Sequence, residues 1–330
     1  MKKSIYIFSN GTINREANTI SIEVNNSKKY IPIENTSEIY MFGEINFNTK
    51  FLDFMSQKGI IIHYFNYYGY YSGTIYPREH LLSGMVIINQ VSYYLDIKKR
   101  LEIAKLIEKG ATENILSNLK YYNSRGKSLE DKINTITEFK EKFDEQSDIN
   151  SLMLVEAKIR EIYYSAYDII LNDPDFKFEQ RTRRPPKNSL NSVISFINSL
   201  IYTNTLSEIY KTHMDPRIGY LHETNFRRFT LNLDISEIFK PIIGDRIIFK
   251  LINEKMLTSK DFNDVENFVY INDRGKKLIL SELENKLSTT ISHPGISHKV
   301  SYKRLIRLEV YKLEKHILGD QKYEPYKTRW

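Results

Sequence analysis

Apolar and polar residues alternate along the first quarter of the chain. The segments SIYIF and TISIEV have a period of two, which is typical of strands with one buried face. The later segment GIIIHYFNYYGYYSGTIYP is rich in β-branched and aromatic residues, and its glycines suit turns. This pattern predicts that residues 1–78 form a small β domain, an antiparallel sheet or sandwich that ends at Tyr76-Pro77.

The hydrophobic period lengthens to that of a helix in the remainder of the chain. The segment SYYLDIKKRLEIAKLIEKGA has apolar residues at helical spacing, and Gly110 is suited to end that helix. The segment NSVISFINSLIYTNTLSEIY predicts a strongly apolar helix. We therefore expect a linker at 79–90 and a helical domain at 91–330. The predicted fold class is α+β, with a small N-terminal β-sheet or sandwich domain followed by a larger all-α domain.

The composition is that of a globular protein that needs no covalent staples. The chain has 330 residues, 41% of them hydrophobic, and no cysteine. The absence of cysteine excludes a disulfide scaffold, a zinc finger and a thiol nucleophile, and it fits a reducing compartment. The first apolar run is too short for a secretion signal, and no window reaches the length of a membrane span. We expect a soluble, cytoplasmic protein without a membrane partner.

Positive charge is concentrated in two segments. The net charge is +7, and the segment from Lys299 to the C-terminus supplies five of these charges. A second group places four cations within seven residues, namely Arg181, Arg183, Arg184 and Lys187. Such clusters indicate a polyanionic partner, although a merely solubilising surface would have the same pattern.

One carboxylate lies at the margin of a predicted core stripe. In SLMLVEAKIREIYY the apolar positions include Leu152 and Ile159, and Glu156 stands one turn from each. Such a side chain either reaches outward to solvent, where Arg160 would be its partner, or is held in a pocket. The pattern alone does not distinguish these alternatives.

A histidine and an acidic pair follow in GYLHETNFRRFTLNLDISEIFKP. His222 stands near the expected start of a helix, and Asp234 and Glu237 are three residues apart. Asp234 suits a helix N-cap, with Glu237 completing a capping box. Because residues three apart on a helix point the same way, both carboxylates could instead address one metal ion. Both interpretations fit the sequence.

Four motifs in this order resemble the universal CRISPR-associated integrase family, the metal-dependent Cas nuclease that inserts new spacers. They are EAKIREIYY, RTRRPPKNSLNSVISFINSLIY, DPRIGYLHE and LDISEIFKPIIGDRIIF, and the resemblance spans essentially the whole chain. The chain departs from the family pattern at Tyr220 (usually Phe), at Lys240 (usually Arg) and at His213-Met214 (commonly Gly-Leu). Glu237 also stands where many members have Asp. None of these departures removes a type of metal ligand.

The resemblance implies a metal-binding triad of Glu156, His222 and Glu237, and Asp234 either ligates the metal or holds the residues around it. All four are thereby implied to be catalytic. Two carboxylates and an imidazole suit Mn²⁺ or Mg²⁺, and Mn²⁺ tolerates the imidazole better. Such an ion polarises a phosphate and activates either water, which gives cleavage, or a 3′-hydroxyl, which gives transesterification and integration.

The resemblance also implies partners. The substrate is double-stranded DNA, as prespacer and CRISPR repeat, and the protein is a homodimer joined through its β domains. A small companion Cas protein bridges two such dimers. The segment KVSYKRLIRLEVYKLEKHI is predicted to be a helix with one cationic face, which would neutralise phosphates. The residues expected to contact DNA or to lie near the site are Arg181, Arg183, Arg184, Lys187, Asn191, Tyr202, Lys299, Lys303 and Arg307.

A second interpretation is a non-catalytic nucleic-acid-binding scaffold, in which Glu156 is a surface residue and Asp234 a helix cap. It explains the charge and the capping pattern. It does not explain why a Glu, a His and an Asp-x-x-Glu pair occur in the order of the family. An unrelated metal phosphohydrolase has less support, because the chain has no His-x-x-x-His pair.

Overall fold

Two compact units make up the chain. The computed structural model describes residues 2–25, 27–78, 81, 83–183, 185–224, 229–266, 268–293 and 296–328. By its internal contacts the chain divides into Met1–Leu82 and Ser83–Trp330. The first unit is rich in strands and the second is mostly helical, so the predicted α+β class is confirmed.

The first unit is built on two sheets. Its strands are β1 (Lys3–Ile7), β2 (Gly11–Glu16), β3 (Thr19–Val24), β4 (Ser27–Ile31), β5 (Thr36–Met41), β6 (Ile45–Phe47), β7 (Ile61–Phe65) and β8 (Tyr71–Ile75). Within the described residues they form sheets of order β1-β5-β7-β8 and β4-β3-β2-β6. Both sheets are mixed rather than antiparallel, because β5 pairs in parallel with β1 and β7, and β2 pairs in parallel with β6.

The parallel pairing of β5 with β7 depends on a helix that the sequence analysis did not predict. Helix α1 (Thr49–Lys58) lies between β5 and β7 in the chain and supplies the crossover that a parallel pair requires. The Asn48 side chain caps its first turn, and Gly59 ends it at a φ of 66°. Phe51 of α1 joins Ile13 and Ile39, from the two sheets, in one shared core.

The second unit is a helical assembly. Its helices are α2 (Gly84–Leu95), α3 (Ile97–Asn123), α4 (Glu130–Glu141), α5 (Ile149–Ser165), α6 (Tyr167–Leu171), α7 (Ser189–Ile209), α8 (Leu231–Phe239), α9 (Arg246–Asn253), α10 (Asp273–Ser288) and α11 (Tyr302–Ile317). A π-helical turn at Lys240–Asp245 joins α8 to α9, and Pro174–Phe176 and Ser259–Asp261 are 3₁₀ turns. Helix α2 begins inside the range predicted as a linker.

Short strands correct the all-α prediction for this unit. Strands β9 (Phe262–Val265) and β10 (Phe268–Ile271) form an antiparallel pair, and so do β11 (Thr290–Ile291) and β12 (Val300–Ser301). The unit is therefore mostly helical rather than wholly so. No helix in the described part of the chain has the length and apolar character needed to cross a membrane.

Apolar helices form the centre of the second unit. Helix α7 is buried on most of its surface, as its apolar sequence predicts. Helix α8 packs against both α7 and α3, and nearly all of its residues are buried. The polar side chains that α8 carries are therefore held in the interior, where each needs a partner.

The C-terminal helix differs from its prediction at one end. The predicted apolar face is confirmed, because Ile306, Val310 and Leu313 are buried. Helix α11 begins only at Tyr302, after Ser301 has capped it. Lys299 therefore lies before the helix and does not share a helical face with the cations that follow.

A buried amide ties the C-terminal segment to α8. The Asn114 Nδ2 on α3 donates to the carbonyl of Ile238 at 2.9 Å and to the carbonyl of Tyr326 at 3.1 Å. The Asn114 Oδ1 accepts from the backbone N–H of Thr328 at 2.8 Å. Three distant parts of the chain thus meet at one side chain, next to the turn of α8 that carries Glu237.

We expect Asn114→Ala to lower the free energy of unfolding of the helical unit by about 2 kcal/mol, because buried carbonyls lose their donor. Urea denaturation followed by circular dichroism at 222 nm measures this. The exposed Asn285→Ala, also on a helix, is the control and should change the free energy by less than about 0.5 kcal/mol. An Asn114→Ala protein as stable as the wild type would show that these contacts contribute little.

Candidate active site

Asp234 lies within α8 and does not cap it. Helix α8 begins at Leu231, so the N-cap interpretation of Asp234 is wrong. The carboxylate is fully buried and accepts three backbone N–H groups of an earlier loop, those of Tyr220 at 2.5 Å, Leu221 at 3.0 Å and His222 at 3.0 Å. These bonds hold the loop that carries His222 against α8.

The same carboxylate orients the His222 ring. The Nδ1 of His222 lies 2.8 Å from Oδ1 of Asp234, which leaves Nε2 as the ring nitrogen that can bind a metal. Burial by itself lowers the pKa of His222, but the hydrogen bond and charge of Asp234 outweigh it and raise that pKa above 6.5. Asp234 is thus a positioning residue in this structure.

Gly219 allows the loop to approach this closely. A Cβ atom at this position would lie 2.7 Å from Oδ2 of Asp234 and 2.7 Å from the carbonyl carbon of Thr230. Both distances are far inside van der Waals contact, so a larger residue would push the loop away from the carboxylate. The glycine in GYLHE therefore has a steric explanation.

Arg160 bridges the two glutamates predicted as metal ligands. Its Nε donates to Oε1 of Glu156 at 3.0 Å, and its guanidinium also donates to Oε2 of Glu237. The side chains of Glu156 and Arg160 are only 17% and 12% exposed. The expected pair of Glu156 with Arg160 is therefore present, but it lies in the interior rather than on the surface.

Lys240 completes the charge balance of Glu237. Its Nζ donates to Oε1 of Glu237 and lies 4.8 Å from the centre of the Tyr202 ring, so Tyr202 lies beside the site as the resemblance implies. Burial alone raises the pKa of Glu237, but Lys240, Arg160 and His222 together lower it to about 2. The Glu237 carboxylate is therefore ionised at neutral pH, with both oxygens occupied by cations.

The structure adds Glu108, which the sequence analysis missed. This residue of α3 is 2% exposed, and its Oε1 has no hydrogen-bond partner among the described residues. Burial and the nearby negative charges of Glu156 and Glu237 raise its pKa well above the ordinary value. A signal was present, since Glu108 stands on the same helical face as the buried Ala104 and Ala111.

The donor types fit a divalent cation, although the side chains do not enclose one as placed. In the described part of the chain, no three His, Asp or Glu side chains are close enough together to hold a metal ion. The donors at hand are Nε2 of His222, the Glu237 carboxylate and Oε2 of Glu156, since Arg160 takes only Oε1 of Glu156. These are ligand types that Mn²⁺ and Mg²⁺ accept. Glu237 could serve as a ligand only if Arg160 or Lys240 released one of its oxygens.

The basic loop predicted to bind DNA is anchored to α7. Arg181 donates to Oδ1 of Asn191 and to Oγ of Ser195, both at 3.0 Å. Asn191 is fully buried, and its side-chain amide accepts from the backbone N–H of Thr182 and donates to the carbonyl of Gln180 in this loop. Arg183 and Lys187 are exposed, whereas Arg184 lies outside the described residues.

The C-terminal cations are less uniform than predicted. Arg307 contacts Oε2 of the buried Glu208 through both Nε and a terminal nitrogen, each at 2.7 Å. Lys303 is half-buried, and Lys299 is exposed. Arg307 therefore already has an anionic partner within the protein, and Lys299 is the more accessible cation.

These features agree with a known family. A sequence model of the family described as CRISPR associated protein Cas1 matches residues 5–285. The chain belongs to the Cas1 family. The CRISPR-associated endonuclease Cas1 2 of Thermodesulfovibrio yellowstonii is 51% identical over 330 residues, which is 100% of both chains. The resemblance found in the motifs is thereby confirmed.

Solved structures extend this Cas1 assignment to the fold. The structure of a Cas1 protein from Thermotoga maritima has a TM-score of 0.89 at 46% identity, and the match covers 98% of this chain and 99% of that one. A casposase bound to integration product has a TM-score of 0.89 at 18% identity, over 99% of this chain and 94% of that one. At the lower identity, the likeness shows a shared fold alone.

We expect Asp234→Asn to lower the pKa of His222 in the metal-free protein, because the carboxylate is what raises it against the effect of burial. An NMR titration of the imidazole measures this shift. In the wild type, the pair stabilises the fold fully below the ordinary histidine pKa of 6.5, and the stabilisation is lost as the pH rises through the raised value. An unchanged His222 pKa in Asp234→Asn would contradict this pairing.

Proposed function

We propose that this member of the Cas1 family is a divalent-metal-dependent DNA endonuclease and integrase that inserts spacer DNA into CRISPR repeat arrays. The observation that carries the proposal is the contact of the Asp234 carboxylate with the His222 ring. It holds the loop that carries His222 against α8, the helix that also carries Glu237. Arg160 then connects Glu237 with Glu156. One imidazole and two carboxylates from three separate segments thus belong to one buried cluster.

Each residue has a distinct role in this proposal. Glu156, Glu237 and Nε2 of His222 would hold Mn²⁺ or Mg²⁺. Such an ion would supply Lewis acidity, which would polarise the scissile phosphate and lower the pKa of the attacking hydroxyl or water. Asp234 keeps Nδ1 engaged and the ring oriented, as carboxylates do for metal-binding histidines. Attack by a 3′-hydroxyl would form a new phosphodiester bond and break one P–O bond of the attacked phosphodiester, whose other strand end leaves as a hydroxyl. Attack by water would break the same bond and leave a phosphate monoester and a hydroxyl.

The DNA would be held by cations around this cluster. Arg183 and Lys187 are exposed on a loop that Arg181 fastens to α7, the helix that also carries Tyr202 beside the site. They can therefore meet phosphates near the site. Lys299 offers a further exposed cation. We propose double-stranded DNA, as prespacer and repeat, as the substrate. A homodimer, with a small companion Cas protein bridging two dimers, is the proposed assembly.

The scaffold alternative has lost the two features on which it depended. Asp234 is not a helix cap, and the Glu156 side chain is only 17% exposed, with Arg160 as its partner. A non-catalytic protein has no need of a buried carboxylate cluster that two cations must neutralise, because burying charge costs free energy. The catalytic proposal gives that cluster a purpose.

Glu156→Gln and His222→Gln are each expected to reduce strand transfer by more than ~100-fold, because losing a ligand costs at least as much as losing an outer contact. The assay combines the protein, its companion, a short duplex with free 3′-hydroxyls and a plasmid with a repeat array, with Mn²⁺ or Mg²⁺. Glu161→Gln is the control, since Glu161 lies exposed on the same helix.

DNA binding in low salt should be unchanged in both variants, because neither side chain is among the exposed cations. Joining that vanishes with a chelator and in both variants, but not in Glu161→Gln, supports the proposal. Joining that persists in Glu156→Gln and His222→Gln would refute it, and so would joining by the wild type without a divalent metal.

A further inference from the structure

The loop that carries His222 is held at its start by a helix other than α8. Residues 215–222, the His222 loop, contain no helix or strand, so their backbone N–H and C=O groups need partners outside a regular ladder. Asp234 of α8 binds the end of the loop, at residues 220–222. Contacts at the start of the loop therefore determine from which direction it reaches α8.

Gln90 of α2 binds the start of the His222 loop through its whole side-chain amide. Its Nε2 donates to the carbonyl of Asp215 at 2.8 Å and to the carbonyl of Ile218 at 2.7 Å. Its Oε1 accepts from the backbone N–H of Asp215 at 2.9 Å. Both N–H groups and the oxygen of the amide are thus used. These partners also fix the orientation of the amide, because the flipped group would set its oxygen against two carbonyls.

The burial of Gln90 makes these contacts necessary. Gln90 is 0% exposed and lies one turn after Val86, which is 3% exposed, so both are on the inner face of α2. Ile88 and Leu95, on the outer face, are each 71% exposed. A buried amide is strongly unfavourable unless its polar atoms are paired, and Gln90 finds its partners in the loop. Moving the loop away would therefore cost free energy on α2 as well.

Helix α2 is a firm base for the loop, because it packs against α3 and α11. From α3, the Nε of Arg100 donates to the carbonyl of Tyr220 at 2.9 Å. Helix α3 also packs against α8, which carries Asp234. The same group of packed helices thus fixes both ends of the His222 loop, with Gln90 at its start and Asp234 at its end.

We propose that Gln90 is a positioning residue for the active site, which holds the start of the His222 loop and thereby places the His222 ring against Asp234. This inference rests on the role of His222 in the proposed function. The placement itself consists of hydrogen bonds between protein groups, from Gln90 to the loop and from the loop to Asp234, and needs no bound cation. Without the amide the loop gains freedom at its start, and a displacement of about 1 Å at a reacting group can lower a rate ~100-fold.

Hydrogen exchange in the full-length chain, measured by NMR without added metal, tests the placement. Gln90→Met removes the amide and keeps the length of the side chain. The N–H groups of residues 220–222 should then exchange at least ~10-fold faster, because the loop leaves Asp234 more often. Asp261→Leu is the matched control. Asp261 is also fully buried and accepts a backbone N–H, that of Thr258 at 2.9 Å, but it lies in the turn before β9, so exchange at residues 220–222 should stay unchanged.

Strand transfer measures the consequence for activity. At saturating DNA, the joining rate of Gln90→Met should fall ~10–100-fold, because His222 is misplaced while the exposed cations are untouched. The DNA concentration that gives half the maximal rate should change by less than ~2-fold, since Gln90 is buried and does not reach the substrate. Asp261→Leu should join DNA at the wild-type rate per folded molecule.

The outcomes separate this inference from the proposed function. Unchanged exchange at residues 220–222 in Gln90→Met would overturn the inference, and so would joining at the wild-type rate by a variant whose loop has lost its protection. A wild type that joins no DNA would refute the proposed function, and hydrogen exchange would still test the placement of the loop.

A measurement on the wild type alone does not depend on the folding of any variant. The side-chain N–H groups of Gln90 should exchange at least ~100-fold more slowly than those of Gln57, which is exposed on α1. Equal exchange rates for the two side chains would show that Gln90 does not hold the loop in solution and would overturn the inference.

Discussion

The Asp234 carboxylate is the contact on which the arrangement of the site depends. It accepts three consecutive backbone N–H groups and meets the His222 ring, all from a loop twelve to fourteen residues earlier in the chain. Buried carboxylates with this many donors are ordered, and they order what they contact. Because Asp234 belongs to α8, the loop, the imidazole and Glu237 are placed by one helix, and α8 is itself fixed between α3 and α7.

Charge compensation is the second constraint. Glu156 and Glu237 are held in the interior by Arg160 and Lys240, and Glu108 stands beside them without a hydrogen bond to its Oε1. In this structure the negative charge of Glu156 and Glu237 is balanced by the protein's own cations. The same burial that makes the cluster costly also strengthens each electrostatic contact in it. The site thus combines high cost with high specificity, which is typical of functional positions.

The pattern of apolar and polar residues predicted those strands and helices whose burial follows a regular period. The alternation in residues 1–78, the apolar α7 and the buried face of α11 are confirmed, because periodicity reports burial directly. Helix α1 was missed inside a strand-like context, despite its Asn48 and Gly59 caps. The role of Asp234 could not be predicted, because a cap and a buried acceptor have the same local sequence. Glu108 was missed because the carboxylates that affect its pKa, Glu156 and Glu237, lie on other helices.

We propose that Glu156, His222 and Glu237 together hold one divalent cation. Pulsed electron paramagnetic resonance of Mn²⁺ bound to the protein tests this proposal, because a coordinated imidazole nitrogen modulates the signal. We expect one bound Mn²⁺ per chain with coupling to a single histidine nitrogen, and we expect that coupling to be lost in His222→Gln. Mn²⁺ bound without nitrogen coupling, or with coupling that persists in His222→Gln, would contradict it.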